Sequence, residues 1–113
     1  EVTSEKMAMG YFFDGKATLV VGTHTHIPTN DTRILKGGTA YQTDSGMCGD
    51  YGSVIGMNKD NSINRFLKKK STKHFPAIGE ASLCGVIVEC DIETGLAKNV
   101  ENFIYGGELK NSQ

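Results

Sequence analysis

The feature that most constrains the fold is the stretch "ASLCGVIVECDIETGLAKNVENFIY" at residues 81–105. Two runs rich in apolar and β-branched residues flank a Glu-Thr-Gly segment at 93–95. Such a pattern is typical of two strands joined by a turn. It predicts that this part of the chain is antiparallel and β-rich.

The first third of the chain predicts a helix followed by a strand. We expect the helix in "VTSEKMAMGYFFDG" (2–15), capped by Thr3 or Ser4 and ended by an Asp14-Gly15 turn. The run "ATLVVG" (17–22) is too short for a helix and is β-branched, so it predicts a buried strand.

The middle of the chain predicts a hairpin, an irregular loop and a second helix. The runs 31–35 and 39–44 alternate like strands around the Lys36-Gly37-Gly38 turn. The glycine-rich segment that follows is irregular, with room for a short helix at 50–57. We expect the second helix in "NKDNSINRFLKKK" (58–70), with one apolar face. That face is formed by Ile63, Phe66 and Leu67. The chain is thus predicted to be one α+β domain.

Composition limits the class of protein. The 113 residues match one small domain, and 38% of them are hydrophobic, enough to build a core. Twelve basic and thirteen acidic residues give a net charge of −1, which does not favour binding to nucleic acid or to an anionic membrane surface. No apolar run approaches the roughly 18 residues of a membrane span, and no signal-peptide pattern is present.

The three cysteines indicate a reducing compartment. Cys48, Cys84 and Cys90 make an odd count without the spacing of a metal site. We therefore expect no disulfide scaffold and a cytoplasmic location. Cys84 and Cys90 are interpreted as small core residues of a strand.

The stretch "TLVVGTHTHIPTND" (18–31) holds two of the three histidines directly after a predicted strand. In extended backbone, residues two apart project from the same face, roughly 6.5–7 Å apart. His24 and His26 could then bind one metal ion, or one each of a pair. Gly22 would let the backbone approach closely. A bare His-x-His pair is nevertheless a weak motif, and a polar turn remains the competing interpretation.

Other polar residues offer weaker signals. Asp31 and Asp44 lie near the pair in sequence without diagnostic spacing, and Asp44 precedes a glycine-containing turn. His74 lies among basic residues, where we expect a solvated loop. The basic run "RFLKKKSTK" (65–73) is interpreted as a solvated helix C-terminus, where cations suit the helix dipole.

Several stretches in order resemble the YmdB-like branch of the bacterial calcineurin-like phosphoesterases. They are "EVTSEKMAMGYFFDGKATLVVGTHTHIPTNDTRIL", "GTAYQTDSGMCGDYGSVIGM" and "GEASLCGVIVECDIETG". The combination covers nearly the whole chain and is far more specific than the histidine pair.

The resemblance implies the C-terminal portion of an α/β/β/α sandwich, with largely antiparallel strands, short helices and a two-metal site at the strand ends. It implies that His24 binds one metal and His26 the other, as ligands and not as bases. Thr23 stands where many members of the superfamily have an extra histidine. Manganese, iron and zinc all suit such ligands.

The resemblance also implies that other ligands come from an N-terminal half that the chain, beginning at Glu1, does not contain. Residues 1–113 are then the C-terminal part of one domain, expected to bind metal weakly and to be inactive alone. The expected partners are a small phosphodiester substrate such as a cyclic nucleotide, the missing N-terminal half, and a second copy of the chain. Nucleic acid is expected only as a substrate. The competing hypothesis is a non-catalytic β-rich binding or assembly module.

Overall fold

The computed structural model describes residues 1–112, which form two helices and two three-stranded sheets. The helices are α1 (Thr3–Phe12) and α2 (Lys59–Phe66). The strands are β1 (Leu19–Val21), β2 (Arg33–Ile34), β3 (Ala40–Gln42), β4 (Gly49–Asp50), β5 (Ala81–Cys90) and β6 (Ala97–Tyr105). The predicted α+β class is confirmed, and all but one of the strand pairings are antiparallel.

The second sheet, in the order β4-β5-β6, contains the predicted long hairpin. β5 and β6 pair from Leu83 opposite Tyr105 to Cys90 opposite Ala97, with one irregularity at Glu89/Cys90. The carboxylate of Asp91 closes the turn, because its Oδ1 accepts the backbone N–H groups of residues 93 and 94 at 2.8 and 3.0 Å. The pKa of Asp91 is lowered by these two hydrogen bonds.

The first sheet has the order β1-β3-β2 and positions the histidine loop. β2 and β3 form the predicted hairpin, in which the Leu35 N–H donates to the Thr39 carbonyl at 2.8 Å. β1 pairs with β3 in parallel, from Leu19 opposite Ala40 to Val21 opposite Gln42. No local signal predicts this pairing, since the partner residues lie 21 positions apart in the chain.

Helix α1 packs against the buried strand β3 through its one buried residue, Gly10. A Cβ atom at Gly10 would lie 2.6 Å from the Tyr41 ring, so only glycine permits this approach. Tyr41 is 1% exposed, and its hydroxyl is 3.0 Å from the Thr43 hydroxyl. The helix therefore rests directly on the strand that precedes the Asp44 segment.

Four local predictions are wrong. α1 begins at Thr3 with Val2 at its N-cap, so neither Thr3 nor Ser4 caps it. Residues 50–57 form turns and a bridge, not a helix, because their glycines and polar contacts close tight turns. Cys84 is buried as expected, whereas Cys90 is exposed near the hairpin end. The strand predicted at 17–22 forms as β1 but is not buried, since Val21 is 41% exposed.

Much apolar surface remains uncovered. Within residues 1–112, Met9, Phe12 and Phe13 on and after α1 are exposed, and so is Val21 on β1. β1 is also an edge strand, paired only on its β3 side among the described residues. Neither helix in that range is long and apolar enough to cross a membrane.

Candidate metal centre

The two histidines lie on the loop that follows β1. The Gly22 N–H donates to the Gln42 carbonyl at 3.1 Å, and the Ser45 N–H donates to the Gly22 carbonyl at 3.0 Å. These bonds continue the β1-β3 ladder beyond the strands and place the loop at the carboxyl ends of two parallel strands. That edge is where ligands bind in open sheets of parallel strands.

The backbone at both histidines lies in the left-handed region. His24 has φ of 105° and His26 has φ of 69°, whereas our expectation assumed an extended backbone. Such angles cost on the order of 1–3 kcal/mol for a non-glycine residue and persist only where the surroundings enforce them. Strain of this kind clusters at binding and catalytic sites, which makes the loop a candidate binding site.

The buried carboxylate of Asp44 enforces this conformation. Its Oδ2 accepts both the backbone N–H and the hydroxyl of Thr25, each at 2.8 Å, and Thr25 stands between the histidines. Its Oδ1 accepts the Gly46 N–H at 2.8 Å. Asp44 is 0% exposed, so these donors replace the water that it loses. Asp44 therefore holds the loop in place by hydrogen bonds and is not a free ligand. We call these contacts of Asp44 the brace.

Lys6, on α1, adds an ion pair and a hydrogen bond to the brace. Its ammonium lies 3.5 Å from Asp44 Oδ2 and donates to the Thr23 carbonyl. The side chain is only 10% exposed, and a largely buried ion pair of this kind is costly to break from one side. No local pattern singles out Lys6 for this role, although the residue belongs to the "TSEK" segment of the resemblance.

His26 is oriented by a backbone carbonyl 29 residues away. Its Nδ1 lies 2.7 Å from the Ile55 carbonyl oxygen. A carbonyl can only accept, so Nδ1 carries the hydrogen, and in the neutral ring Nε2 keeps its lone pair. Metal-binding histidines almost always have such a partner on the second nitrogen. His26 thus has the tautomer that a metal ligand needs.

The residues present fit part of a metal site. His24 is exposed and His26 is half-buried, so both rings are accessible. Within residues 1–112, however, no three histidine, cysteine, aspartate or glutamate side chains are grouped closely enough to hold an ion. Asp31 is also engaged, since it accepts from Thr29 Oγ1 at 2.7 Å and from the Thr43 N–H at 3.1 Å. His74 is exposed, as expected of a loop histidine.

The protonation of Asp44 is expected to control the loop. Burial alone would raise the pKa of Asp44, but hydrogen bonds from Gly46 and Thr25 and the charge of Lys6 hold the pKa below the ordinary 3.8. A lowered folded-state pKa stabilises the fold above the unfolded pKa, and this contribution disappears as pH falls through the folded value. The melting temperature of wild type should therefore exceed that of Asp44→Asn, and the difference should be largest at neutral pH.

The difference between the two melting temperatures should shrink steadily below about pH 4. Thermal unfolding of both proteins between pH 7 and pH 2 measures it, and Asp60→Asn, at an exposed helix position, is the matched control. A difference that does not change with pH would mean that the charge of Asp44 does not stabilise the loop.

Solved structures with the same fold define the class of protein. A novel phosphatase from Mycoplasma pneumoniae superposes with a TM-score of 0.86 and 42% identity, over 94% of this chain and 38% of that one. A hypothetical protein from Thermus thermophilus superposes with a TM-score of 0.84 and 38% identity, over 96% of this chain and 42% of that one. The fold is a portion of the calcineurin-like phosphoesterase fold.

Sequence comparison gives the family. The model of the YmdB-like protein family matches residues 1–103, and the chain belongs to this family. A Bacillus subtilis relative named 2′,3′-cyclic-nucleotide 2′-phosphodiesterase is 44% identical over 104 residues, which are 92% of this chain and 39% of the relative. The chain therefore spans about two fifths of the length of the proteins that it matches.

Proposed function

We propose that this chain supplies the histidine loop of a metal-dependent phosphodiesterase. The observation that carries the proposal is His26: its Nδ1 is bound to the Ile55 carbonyl, so Nε2 is available on a braced loop with left-handed backbone. A polar turn requires neither the fixed tautomer nor the strain. The phosphatase and phosphodiesterase names of the relatives support the same class of reaction.

His24 and His26 bind metal in this proposal, and neither transfers a proton. His26 coordinates through Nε2, and the contacts of Lys6 and Asp44 hold the loop that carries both rings. Manganese, iron or zinc would suit imidazole with carboxylate ligands. The chemistry that two such cations supply when bound is neutralisation of phosphate charge and a lowered pKa for water.

The rest of the site comes from polypeptide outside these 113 residues. Within residues 1–112 no third ligand joins the two histidines, and the relatives are more than twice as long as the matched region. We propose that residues 1–113 form the C-terminal part of one catalytic domain. The exposed edge of β1 and the apolar surface of α1 are where the other part, or a second copy, would pack.

The proposed substrate is a small phosphodiester, in particular a cyclic nucleotide. This class follows from the name of the B. subtilis relative, and a net charge of −1 fits a small substrate better than a long polyanion. We propose a cytoplasmic location, which the three free cysteines favour.

The test compares the complete protein that contains this sequence with the 113-residue chain. We expect the complete protein to hydrolyse adenosine 2′,3′-cyclic phosphate with Mn²⁺ and to lose the activity on chelation, because water then lacks an activating cation. The 113-residue chain should bind Mn²⁺ weakly and show no turnover, since two ligands make an incomplete site. Isothermal titration and product chromatography measure both properties.

Two results would contradict the proposal. Activity of the complete protein that survives exhaustive chelation would exclude the metal mechanism. Turnover by the 113-residue chain, purified free of any other polypeptide, would show that this chain holds a whole active site.

A further inference from the structure

A cavity of about 400 Å³ lies between the 54–57 turns and helix α2. Its volume is within the roughly 300–1,000 Å³ typical of small-molecule sites. Val54, Ile55, Met57 and Phe66 give it largely apolar walls, to which Ser62, Arg65 and His74 add polar groups. Apolar walls with a few polar groups are characteristic of sites for small organic ligands.

Ile55 connects this cavity to the candidate metal centre. Ile55 lines the cavity, while its carbonyl oxygen accepts the hydrogen bond from His26. Its own backbone is left-handed, with φ of 49°. The cavity wall and the histidine loop are therefore in direct contact through Ile55.

Ser62 contributes to the cavity wall a buried hydroxyl without a partner among the described residues. The residue is 2% exposed and lines the cavity, yet Oγ forms no hydrogen bond with any residue of 1–112. An unsatisfied buried hydroxyl is destabilising, by roughly 1–3 kcal/mol. A polar group of a bound molecule would satisfy it.

The hydrogen bonds that stabilise the cavity wall around Ser62 do not involve its hydroxyl. The neighbouring Asn61 accepts the Thr72 N–H at 2.8 Å and donates to the Thr72 carbonyl at 3.2 Å. These bonds attach α2 to the segment that leads to His74. Loss of the Ser62 hydroxyl should therefore leave the cavity intact.

Two further groups suit a flat aromatic ligand. The Phe66 ring lines the cavity although the residue is 83% exposed, so one face is free to stack. The Arg65 guanidinium makes one long bond, 3.5 Å, to the Thr72 carbonyl, and its other donors can reach acceptors on a ring edge. A free phosphate would gain little from the apolar walls.

We propose that this cavity binds the base of the nucleotide whose phosphodiester is cleaved at the histidine loop. The inference rests on the proposed function and adds a specificity site to it. Phe66 stacks on the base, and the hydroxyl of Ser62 exchanges a hydrogen bond with the base edge. The walls are contributed entirely by residues 54–74.

The test measures binding and turnover separately in the complete protein. Adenosine binding is measured by equilibrium dialysis in a chelator, where no catalysis occurs. We expect Ser62→Ala to weaken binding about fivefold to tenfold, the effect of one hydrogen bond. Phe66→Ala should weaken it about tenfold or more, because stacking on an aromatic ring is lost. Ser71→Ala and Tyr105→Ala, at exposed positions outside the cavity, are the controls.

Turnover discriminates a base site from a phosphate site. With Mn²⁺, both cavity variants should raise KM for adenosine 2′,3′-cyclic phosphate and leave KM for the base-free glycerol 1,2-cyclic phosphate unchanged. Ser62→Ala should melt no lower than wild type, since its hydroxyl has no partner to lose.

Three results would overturn the base site. They are wild-type protein that does not bind adenosine, variants that bind as well as wild type, and equal rises in KM for both substrates. Absence of metal-dependent turnover in wild type would instead contradict the proposed function, and adenosine dialysis would still test the cavity.

Discussion

Replacing His24 or His26 with alanine in the complete protein is expected to lower Mn²⁺-dependent hydrolysis about a thousandfold or more. A bound cation contributes several kcal/mol to the stabilisation of transition-state charge, and each factor of ten in rate corresponds to about 1.4 kcal/mol. Bis(p-nitrophenyl) phosphate is a suitable chromogenic substrate, and the metal content of each purified variant is an independent measurement. Both the rate and the bound metal should fall.

The control is Asn30→Ala, an exposed position on the same loop, which should retain activity and metal. Circular dichroism shows whether each variant is folded. Folded His24→Ala and His26→Ala proteins with wild-type activity would mean that "GTHTH" is only a turn. The competing hypothesis, a non-catalytic binding or assembly module, would then be favoured.

Gly22→Ala is expected to produce the largest loss of stability among single methyl additions to this chain. A Cβ atom at this position would lie 2.1 Å from the Thr43 carbonyl oxygen and 3.0 Å from the Lys6 side chain. The oxygen belongs to the backbone beside Asp44, so β1 and β3 would have to separate. Overpacking costs about 1–3 kcal/mol or more, and we expect the upper end of that range.

A drop of roughly 10 °C in melting temperature corresponds to that cost in a domain of about 150–250 residues. The matched control is Gly85→Ala, where a Cβ atom would meet nothing within 4 Å. That substitution, in the middle of β5, should leave stability unchanged or slightly raise it. Equal melting temperatures for the two variants would show that the close approach at Gly22 is not required.

Local patterns predicted the elements whose hydrogen bonds stay within a short stretch of chain. Both hairpins and both helices lie where their periodicity and turn residues placed them. The wrong predictions fall where side-chain contacts determine the local backbone conformation. Residues 50–57 lack a helix because the Asp50 carboxylate and the Ser53 hydroxyl bind the backbone of residues 52 and 56. Such contacts compete with helical hydrogen bonds.

The exposed face of α2 shows a second limit. Ile63 and Phe66 on α2 and Leu67 at its C-cap follow a helical spacing, and such a spacing normally predicts a buried face. In the described residues this face is largely exposed, and Phe66 lines a cavity. Sequence alone cannot separate a core face from a ligand wall, because both require the same apolar side chains.

The sequence by itself determined the family and the α+β class and singled out the two histidines as candidate ligands, because these depend on residue type and order. Only the tertiary structure decided how the histidines are presented. Their left-handed backbone depends on Asp44 and Lys6, and the tautomer of His26 depends on the carbonyl of Ile55. Those partners are 17–29 residues distant, and no local period relates them to the loop. Parallel pairing of β1 with β3 brings Asp44 beside the loop, and the free energy of tertiary packing holds the strained loop in place.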